Sequence, residues 1–169
     1  MDFSLTSDAS NKFPLLAEGH YTTTRFSVGW DKMYIKTNPV ANPFIQCWTA
    51  GYLEGVLSHE EIYDYYNNIH VFFEGDESKI DKLFQFYKQL DVNIESKLNI
   101  EYFKTLDEKN YIKWLHIFCL RSQLEGLLKG YSSMYDGSKD DEKKKLSLLH
   151  FYFINSEGNF EDIKCNSLI

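Results

Sequence analysis

Cys165 is the residue whose type and position most directly suggest chemistry. It is followed by the segment Asn166–Ile169, whose last two residues are apolar, and this pattern indicates the start of a strand. If the peptide bond before a cysteine at a strand start is cut, the freed α-amino group titrates near neutral pH and can act as the general base for its own thiol. Two interpretations of Cys165 are therefore open: an N-terminal nucleophile, or an ordinary thiol.

The other two cysteines predict no site. Cys47 and Cys119 lie inside apolar helical stretches, so we interpret them as small core residues. Three cysteines this far apart match neither a zinc-binding pattern nor a disulfide framework. The sequence also lacks a Gly-rich phosphate loop and a Gly-x-Ser-x-Gly elbow, so we expect no metal and no cofactor.

The histidines are interpreted as structural. His59-Glu60-Glu61 lacks the His-Glu-x-x-His spacing that places two imidazoles on one helix face, so it predicts a helix N-terminus with acidic residues near the positive end of the helix dipole. The remaining histidines are isolated in the sequence and predict no catalytic cluster. They are His20, His70, His116 and His150.

Composition and charge narrow the class of protein. The chain has 169 residues, of which 43% are hydrophobic and 17% aromatic, which predicts one packed domain and excludes an intrinsically disordered chain. The formal net charge of −7 argues against a nucleic-acid partner, because such proteins need basic surface to neutralise phosphates. No stretch reaches the roughly 20 apolar residues of a transmembrane helix. Residues 1–9 lack the basic and apolar regions of a signal peptide, so the expected location is cytoplasmic or unassigned.

The N-terminal part of the sequence predicts a short β-hairpin. Residues 1–20 are expected to be an irregular lead-in to a single domain over residues 21–169. Two short strands within Tyr21–Thr37 would then turn near Gly29, because threonines and other β-favouring residues precede that glycine and a partly alternating run follows it.

Helical spacing of apolar residues dominates the rest of the chain. A buried helix is predicted over Phe44–Leu57, with Asn42 as its cap and Pro43 in its first turn. Gly51 and Gly55 within it are expected to allow close approach of another backbone. Further helices are predicted to start near Ser58, Ser78 and Asp107, the last ending at Gly130, whereas Leu146–Ile154 fits either a helix or a strand.

Four segments, in this order, resemble segments of the phospholipase B-like family. Gly29-Trp30 and the strand that follows resemble the family's opening strand. Ala-Gly-Tyr-Leu-Glu-Gly at residues 50–55 resembles its Ala-Gly-x-Leu-Glu-Gly helix. Gln-Leu-Glu-Gly-Leu at residues 123–127, closing at Gly130-Tyr131, resembles a third segment, and Phe153–Ile163 resembles its Asn-x-x-Gly-Asp segment. Together they cover most of residues 28–163.

This resemblance implies an α+β fold, the mostly helical front portion of the αββα sandwich of an N-terminal nucleophile hydrolase. Members of the family mature by autocleavage before a cysteine that opens a strand. The resemblance therefore implies that Cys165 is the catalytic nucleophile. Asn166 stands where the family usually has serine, and the loop between Ile163 and Cys165 is shorter than is usual. The implied reaction is acyl transfer that releases fatty acids from a phospholipid substrate, with ester and amide both open.

The resemblance also defines the alternatives. The family is typically secreted or lysosomal, and the sheet-forming second half of its fold would lie beyond Ile169, so the chain is expected to be truncated and to need that C-terminal half as a partner. A non-catalytic helical interaction module and an inactive truncated remnant remain the competing hypotheses.

Overall fold

The computed structural model describes residues 2–6, 15–72, 77–135 and 144–156. Within them the chain forms three strands and seven helices. In chain order these are β1 (Asp2–Thr6), β2 (Leu15–Thr22), α1 (Arg25–Val28), β3 (Lys32–Thr37), α2 (Pro43–Leu57), α3 (His59–Phe72), α4 (Glu77–Ser96), α5 (Ile100–Lys104), α6 (Glu108–Ser132) and α7 (Leu148–Asn155). The prediction of a mostly helical α+β chain is confirmed, and the αββα sandwich stays a prediction.

The chain divides into two compact units. The first unit combines the residues up to Glu60 with Cys119–Lys145, and the second combines Glu61–Phe118 with the residues from Leu146 onward. Helix α6 contributes to both, with its first part in the second unit and its remainder in the first. Whether residues 21–169 form one domain stays a prediction.

A three-stranded antiparallel sheet lies in the first unit, with β2 in the centre. Ala17 and Gly19 of β2 are buried, whereas Glu18 between them is exposed, as the alternation of a strand requires. The buried side of β2 packs on Leu53 and Leu57 of α2. The sheet therefore supports one face of α2.

Helix α2 begins as the sequence predicts. The side-chain oxygen of Asn42 accepts a hydrogen bond from the backbone N–H of Phe44 at 2.9 Å, and Pro43 occupies the first turn. This satisfies one of the backbone donors that a helix N-terminus leaves free. The helix is buried along most of its second half, which agrees with its nearly continuous apolar sequence.

The second unit has an aliphatic and aromatic core formed by α3, α4 and α7. Ile69, Leu83, Tyr87 and Phe153 are its buried members, together with Ile80. Phe153 lies edge-on to Phe84, with ring centroids 5.8 Å apart. The stretch Leu146–Ile154, which fits either a helix or a strand in the sequence, is thus largely helix α7. The helix starts predicted near Ser78 and Asp107 are confirmed by α4 and α6, whereas α5 is not anticipated.

The predicted hairpin is wrong in its first strand. The hairpin pairs β2 with β3, and residues 25–28, expected as strand, form the short helix α1 that ends at Gly29 with a φ of 91°. The carboxylate of Asp31 accepts hydrogen bonds from the backbone N–H groups of Thr24 and Arg25, both at 2.8 Å. These bonds satisfy donors at the start of the helical turn and so override the β-favouring side chains. The expected irregular lead-in over residues 1–20 is likewise wrong where β1 and β2 form.

Candidate functional site

Cys165, the nucleophile that the sequence predicts, lies outside the described residues. Its catalytic role therefore stays a prediction. The end of the fourth family-like segment, after Ser156, also lies outside them. The described part of the candidate site is the helix pair α2 and α6, which carries the second and third family-like segments.

Helices α2 and α6 touch through their backbones. A Cβ atom added at Gly51 would lie 2.0 Å from the carbonyl oxygen of Gln123, and one added at Gly126 would lie 2.0 Å from that of Trp48. Gly55 and Gly130 make equally close approaches, at 2.2 and 2.0 Å to the opposing carbonyl oxygens. We call this contact the glycine seam; it consists of Gly51, Gly55, Gly126 and Gly130. The prediction that glycines on α2 allow close approach of another backbone is confirmed.

The two helices run in the same direction along the seam. Gly51 faces the backbone of Gln123, and Gly55, one turn later, faces the backbone of Leu127, also one turn later. Along the seam, the residue numbers of the facing residues increase together on the two helices, so the helices are parallel. The close contact therefore fixes the register of every side chain next to the seam.

Glu54 and Gln123 form a polar pair across the seam. The Gln123 side-chain amide lies 3.5 Å from a carboxylate oxygen of Glu54. Burial raises the pKa of the Glu54 carboxyl, and the hydrogen bond from Gln123 opposes that shift in part. The raised pKa means that the Glu54 carboxyl holds its proton to a higher pH than an ordinary glutamate does. The sequence analysis did not select Glu54 as a functional residue, although it lies in the family-like Leu-Glu-Gly motif.

Cys47 and Cys119 face each other near the start of α2. Both side chains are partly exposed, so their interpretation as small core residues holds only in part. Burial and a hydrogen bond with Cys47 raise the pKa of the Cys119 thiol to about 11. A thiol that keeps its proton at neutral pH is a poor nucleophile, so Cys119 is unsuited to the role predicted for Cys165.

A second polar group lies on the sheet. The His20 imidazole contacts the Asp2 carboxylate through Nδ1, and its Nε2 lies 2.6 Å from the Thr22 hydroxyl oxygen. The contact with His20 lowers the pKa of Asp2. A carboxylate, an imidazole and a hydroxyl in this order resemble a proton-relay arrangement. Here, however, His20 and Asp2 are largely exposed, with side-chain exposures of 54% and 83%, so water competes with each of these bonds.

Three further histidines lie on helices α3 and α6. His59 begins α3, and its Nδ1 lies 3.0 Å from the carbonyl oxygen of Val56. His70 and His116 are exposed on α3 and α6. Among the described residues, no group of histidine, cysteine and carboxylate side chains is arranged to hold a metal ion. In that same part of the chain, no helix has the length and apolar character needed to cross a membrane.

Comparison with known proteins places the helix pair in a family context. A family model described as phospholipase B matches residues 17–168. Phospholipase B-like protein C of Dictyostelium discoideum is 32% identical over 155 residues, which are 90% of this chain and 25% of that protein. Phospholipase B-like protein B of the same organism is 26% identical over 157 residues, or 92% of this chain and 25% of that protein. Phospholipase B-like 1 of Rattus norvegicus is 25% identical over 150 residues, or 87% of this chain and 26% of that protein.

The chain spans about a quarter of the length of these curated relatives. The matched residues include both helices of the glycine seam and also Cys165.

Proposed function

This chain belongs to the phospholipase B family, and we propose that it carries the front portion of a hydrolase that releases fatty acids from glycerophospholipids. The observation that carries the proposal is the family match over residues 17–168, because it spans the helix pair and reaches Cys165. In this proposal the helices belong to an αββα sandwich, and the rest of that sandwich comes from the part of the family fold that this chain does not span.

The proposed mechanism begins with cleavage of the peptide bond between Lys164 and Cys165. The freed α-amino group of Cys165 then accepts the thiol proton, and the thiolate attacks the acyl carbonyl carbon of the lipid. The ester C–O bond breaks, the alcohol leaves with the proton, and the acyl group remains on sulfur as a thioester. Water then attacks the thioester carbonyl, the fatty acid departs, and the thiol is regenerated.

The glycine seam supports this mechanism as a scaffold. Catalysis by acyl transfer needs reacting groups held to within a fraction of an ångström. Two helices in backbone contact resist sliding past each other, because an opposing carbonyl oxygen already occupies the space beside each glycine, 2.0–2.2 Å from where a Cβ atom would lie. We therefore assign α2 and α6 a positioning role and leave the covalent chemistry to Cys165.

The experiment has two readouts on the same protein. Intact mass detects cleavage between Lys164 and Cys165, and fatty-acid release from phosphatidylcholine vesicles detects hydrolysis. Each is measured for this chain alone and for this chain co-expressed with the remaining part of phospholipase B-like protein C. We expect Cys165→Ala to abolish both signals, and Cys47→Ala, a matched thiol substitution, to retain them. Absence of Cys165-dependent cleavage and hydrolysis in both preparations would overturn the proposal.

A second candidate function is a non-catalytic module that binds the remaining part of the family fold. Exposed aromatic side chains favour it, since Phe26 is 94% and Trp30 66% exposed, both in the segment around Gly29. Large exposed apolar side chains close together mark a contact surface. This candidate predicts that the co-expressed fragments copurify without hydrolysis, and that Phe26→Ser with Trp30→Ser prevents copurification.

A further inference from the structure

Cys47 and Cys119 lie on the faces of α2 and α6 that meet at the glycine seam. Cys47 precedes Gly51 by four residues on α2, and Cys119 precedes Gln123 by four residues on α6. Residues four apart share one helix face. Since Gly51 faces Gln123, the parallel register places the two cysteines opposite each other one turn earlier.

Two contacts hold the helices together close to the cysteines. Beyond Cys47, toward the start of α2, the Ser122 hydroxyl donates a hydrogen bond to the carbonyl oxygen of Phe44 at 3.2 Å. Four residues after Cys47, the backbone at Gly51 meets the backbone of Gln123. On α2 these two contacts lie on either side of Cys47, and on α6 both lie within about one turn after Cys119.

The close backbone approach at the glycine seam favours a disulfide one turn away. Ordinary packed helices have axes about 8–10 Å apart, whereas the Cα atoms joined by a disulfide lie about 4.4–6.8 Å apart. At the glycine seam, an added Cβ atom would overlap the opposing carbonyl oxygen. The two backbones are therefore closer there than in ordinary helix packing. The Cys47 thiol lies near enough to Cys119 to contribute to the raised pKa of the Cys119 thiol, and both side chains are partly exposed to solvent.

We propose that Cys47 and Cys119 are an oxidisable pair that forms a disulfide linking α2 to α6. The reaction is thiol–disulfide exchange with a small-molecule disulfide such as oxidised glutathione. One cysteine thiolate attacks a glutathione sulfur, the glutathione S–S bond breaks, and one glutathione thiolate leaves. The second cysteine thiolate then attacks the first cysteine's sulfur in this mixed disulfide and releases the second glutathione.

The atoms and electrons balance. The two cysteine thiols together lose two protons and two electrons, and one oxidised glutathione becomes two reduced glutathione molecules. The raised pKa of Cys119 means that its thiolate is scarce at neutral pH. Attack by Cys119 should therefore be slow at neutral pH and become faster as the pH rises.

The inference is independent of the proposed hydrolase activity, because Cys165 takes no part in it. A disulfide between Cys47 and Cys119 would close a loop of about 70 residues, and loops of this length give a large chain-entropy effect on the unfolded state. Oxidation is therefore expected to raise the midpoint of thermal unfolding by about 5–15 °C.

The test uses the full chain with Cys165→Ser, which removes the third thiol. The reduced protein is incubated with excess oxidised glutathione at pH 8, and intact mass, peptide mapping and the thermal midpoint are measured. We expect the loss of two hydrogens, a linked peptide pair containing Cys47 and Cys119, and the rise in midpoint. Adding Cys47→Ser or Cys119→Ser should leave a single mixed disulfide with glutathione and abolish the rise.

Three results would overturn the inference. One is a Cys165→Ser protein that carries two glutathione adducts, or two thiols still open to alkylation, at the end of the incubation. Another is a Cys47–Cys119 disulfide that lowers the thermal midpoint, because such a bond would have to distort the helix pair. A midpoint rise that persists in the single-cysteine variants would have the same consequence, because it could not come from this bond.

Discussion

Gly126 of α6 faces the backbone of Trp48 of α2 so closely that a Cβ atom at position 126 would lie 2.0 Å from the Trp48 carbonyl oxygen. In an exposed helix, glycine destabilises by about 1 kcal/mol relative to alanine. The sequence nevertheless has four glycines at this contact. Their cost is offset by the packing of two helices whose backbones meet without intervening side chains.

Gly126→Ala should therefore destabilise the protein, although alanine is the better helix former. The added methyl group overlaps a backbone atom that cannot rotate away, so α2 and α6 must separate. We expect a loss of about 3 kcal/mol in the free energy of unfolding, measured by urea denaturation.

Gly19→Ala is the matched control for this substitution. Its added Cβ would lie 2.8 Å from Leu57 Cδ1, the far end of a flexible side chain that can move aside. We expect a loss well below that of Gly126→Ala. Equal losses for the two variants would mean that backbone contact at the seam does not set the energetics.

Glu54→Gln should stabilise the protein at pH values above the ordinary pKa of a glutamate carboxyl. Burial raises the pKa of Glu54 in the folded state above its ordinary value of 4.5, so the folded state favours the protonated form. Below pH 4.5 the carboxyl is protonated in both states, and the variant should match the parent. As the pH rises through the raised pKa, the parent loses stability that the uncharged glutamine retains.

The measurement is the free energy of unfolding of both proteins from pH 4 to pH 8. Asp81→Asn, at an exposed position on α4, serves as the control for removal of a carboxylate. A stability difference between Glu54→Gln and the parent that stays constant across this range would contradict the assignment.

The sequence predicts the helices well because their signals are local. Asn42 caps α2 as expected, and the apolar spacing places α4 and α6. The glycines on α2 also predict close helix packing. The partner helix and its parallel register do not follow from α2 alone, because Gly51 gives no indication that it faces Gln123 until the chain is folded.

Strand β2 shows why the sheet is harder to predict. Its buried residues are Ala17 and Gly19, which are too small to produce the apolar alternation by which a half-buried strand is recognised. Gly19 is buried because Leu57 and Leu53 of α2 fill the space where a larger side chain would lie. The signal for this strand is therefore carried by α2, more than 30 residues away in sequence.

The Cys47–Cys119 and Glu54–Gln123 pairs escaped prediction for the same reason. Each joins residues about 70 positions apart, and their proximity is set by the register of the glycine seam. Spacing along one helix identifies which residues share a face. The facing helix determines which of them acquire a raised pKa or a neighbouring thiol.

His150→Gln should remove an acid-sensitive contribution to the stability of the second unit. The His150 ring packs edge-on against Tyr66 and Phe84, with ring centroids 5.1 Å away in each case. Burial lowers the pKa of His150 below its ordinary value of 6.5, and the nearby His70 lowers it further. The neutral ring is thus favoured in the folded state, and its Nδ1 accepts a hydrogen bond from the Ser147 backbone N–H at 2.9 Å.

The direction of the pH effect follows from this lowered pKa. Above pH 6.5 the imidazole is neutral in both states, and its contribution to stability is fully present. As the pH falls below 6.5, the unfolded chain takes up a proton first, and stability is lost until the folded-state pKa is passed. Glutamine at position 150 does not titrate and can still accept a hydrogen bond from the Ser147 N–H. Unfolding measured from pH 8 to pH 5 should therefore show a steeper loss in the parent than in the variant, whereas parallel curves would show that His150 titrates alike in both states.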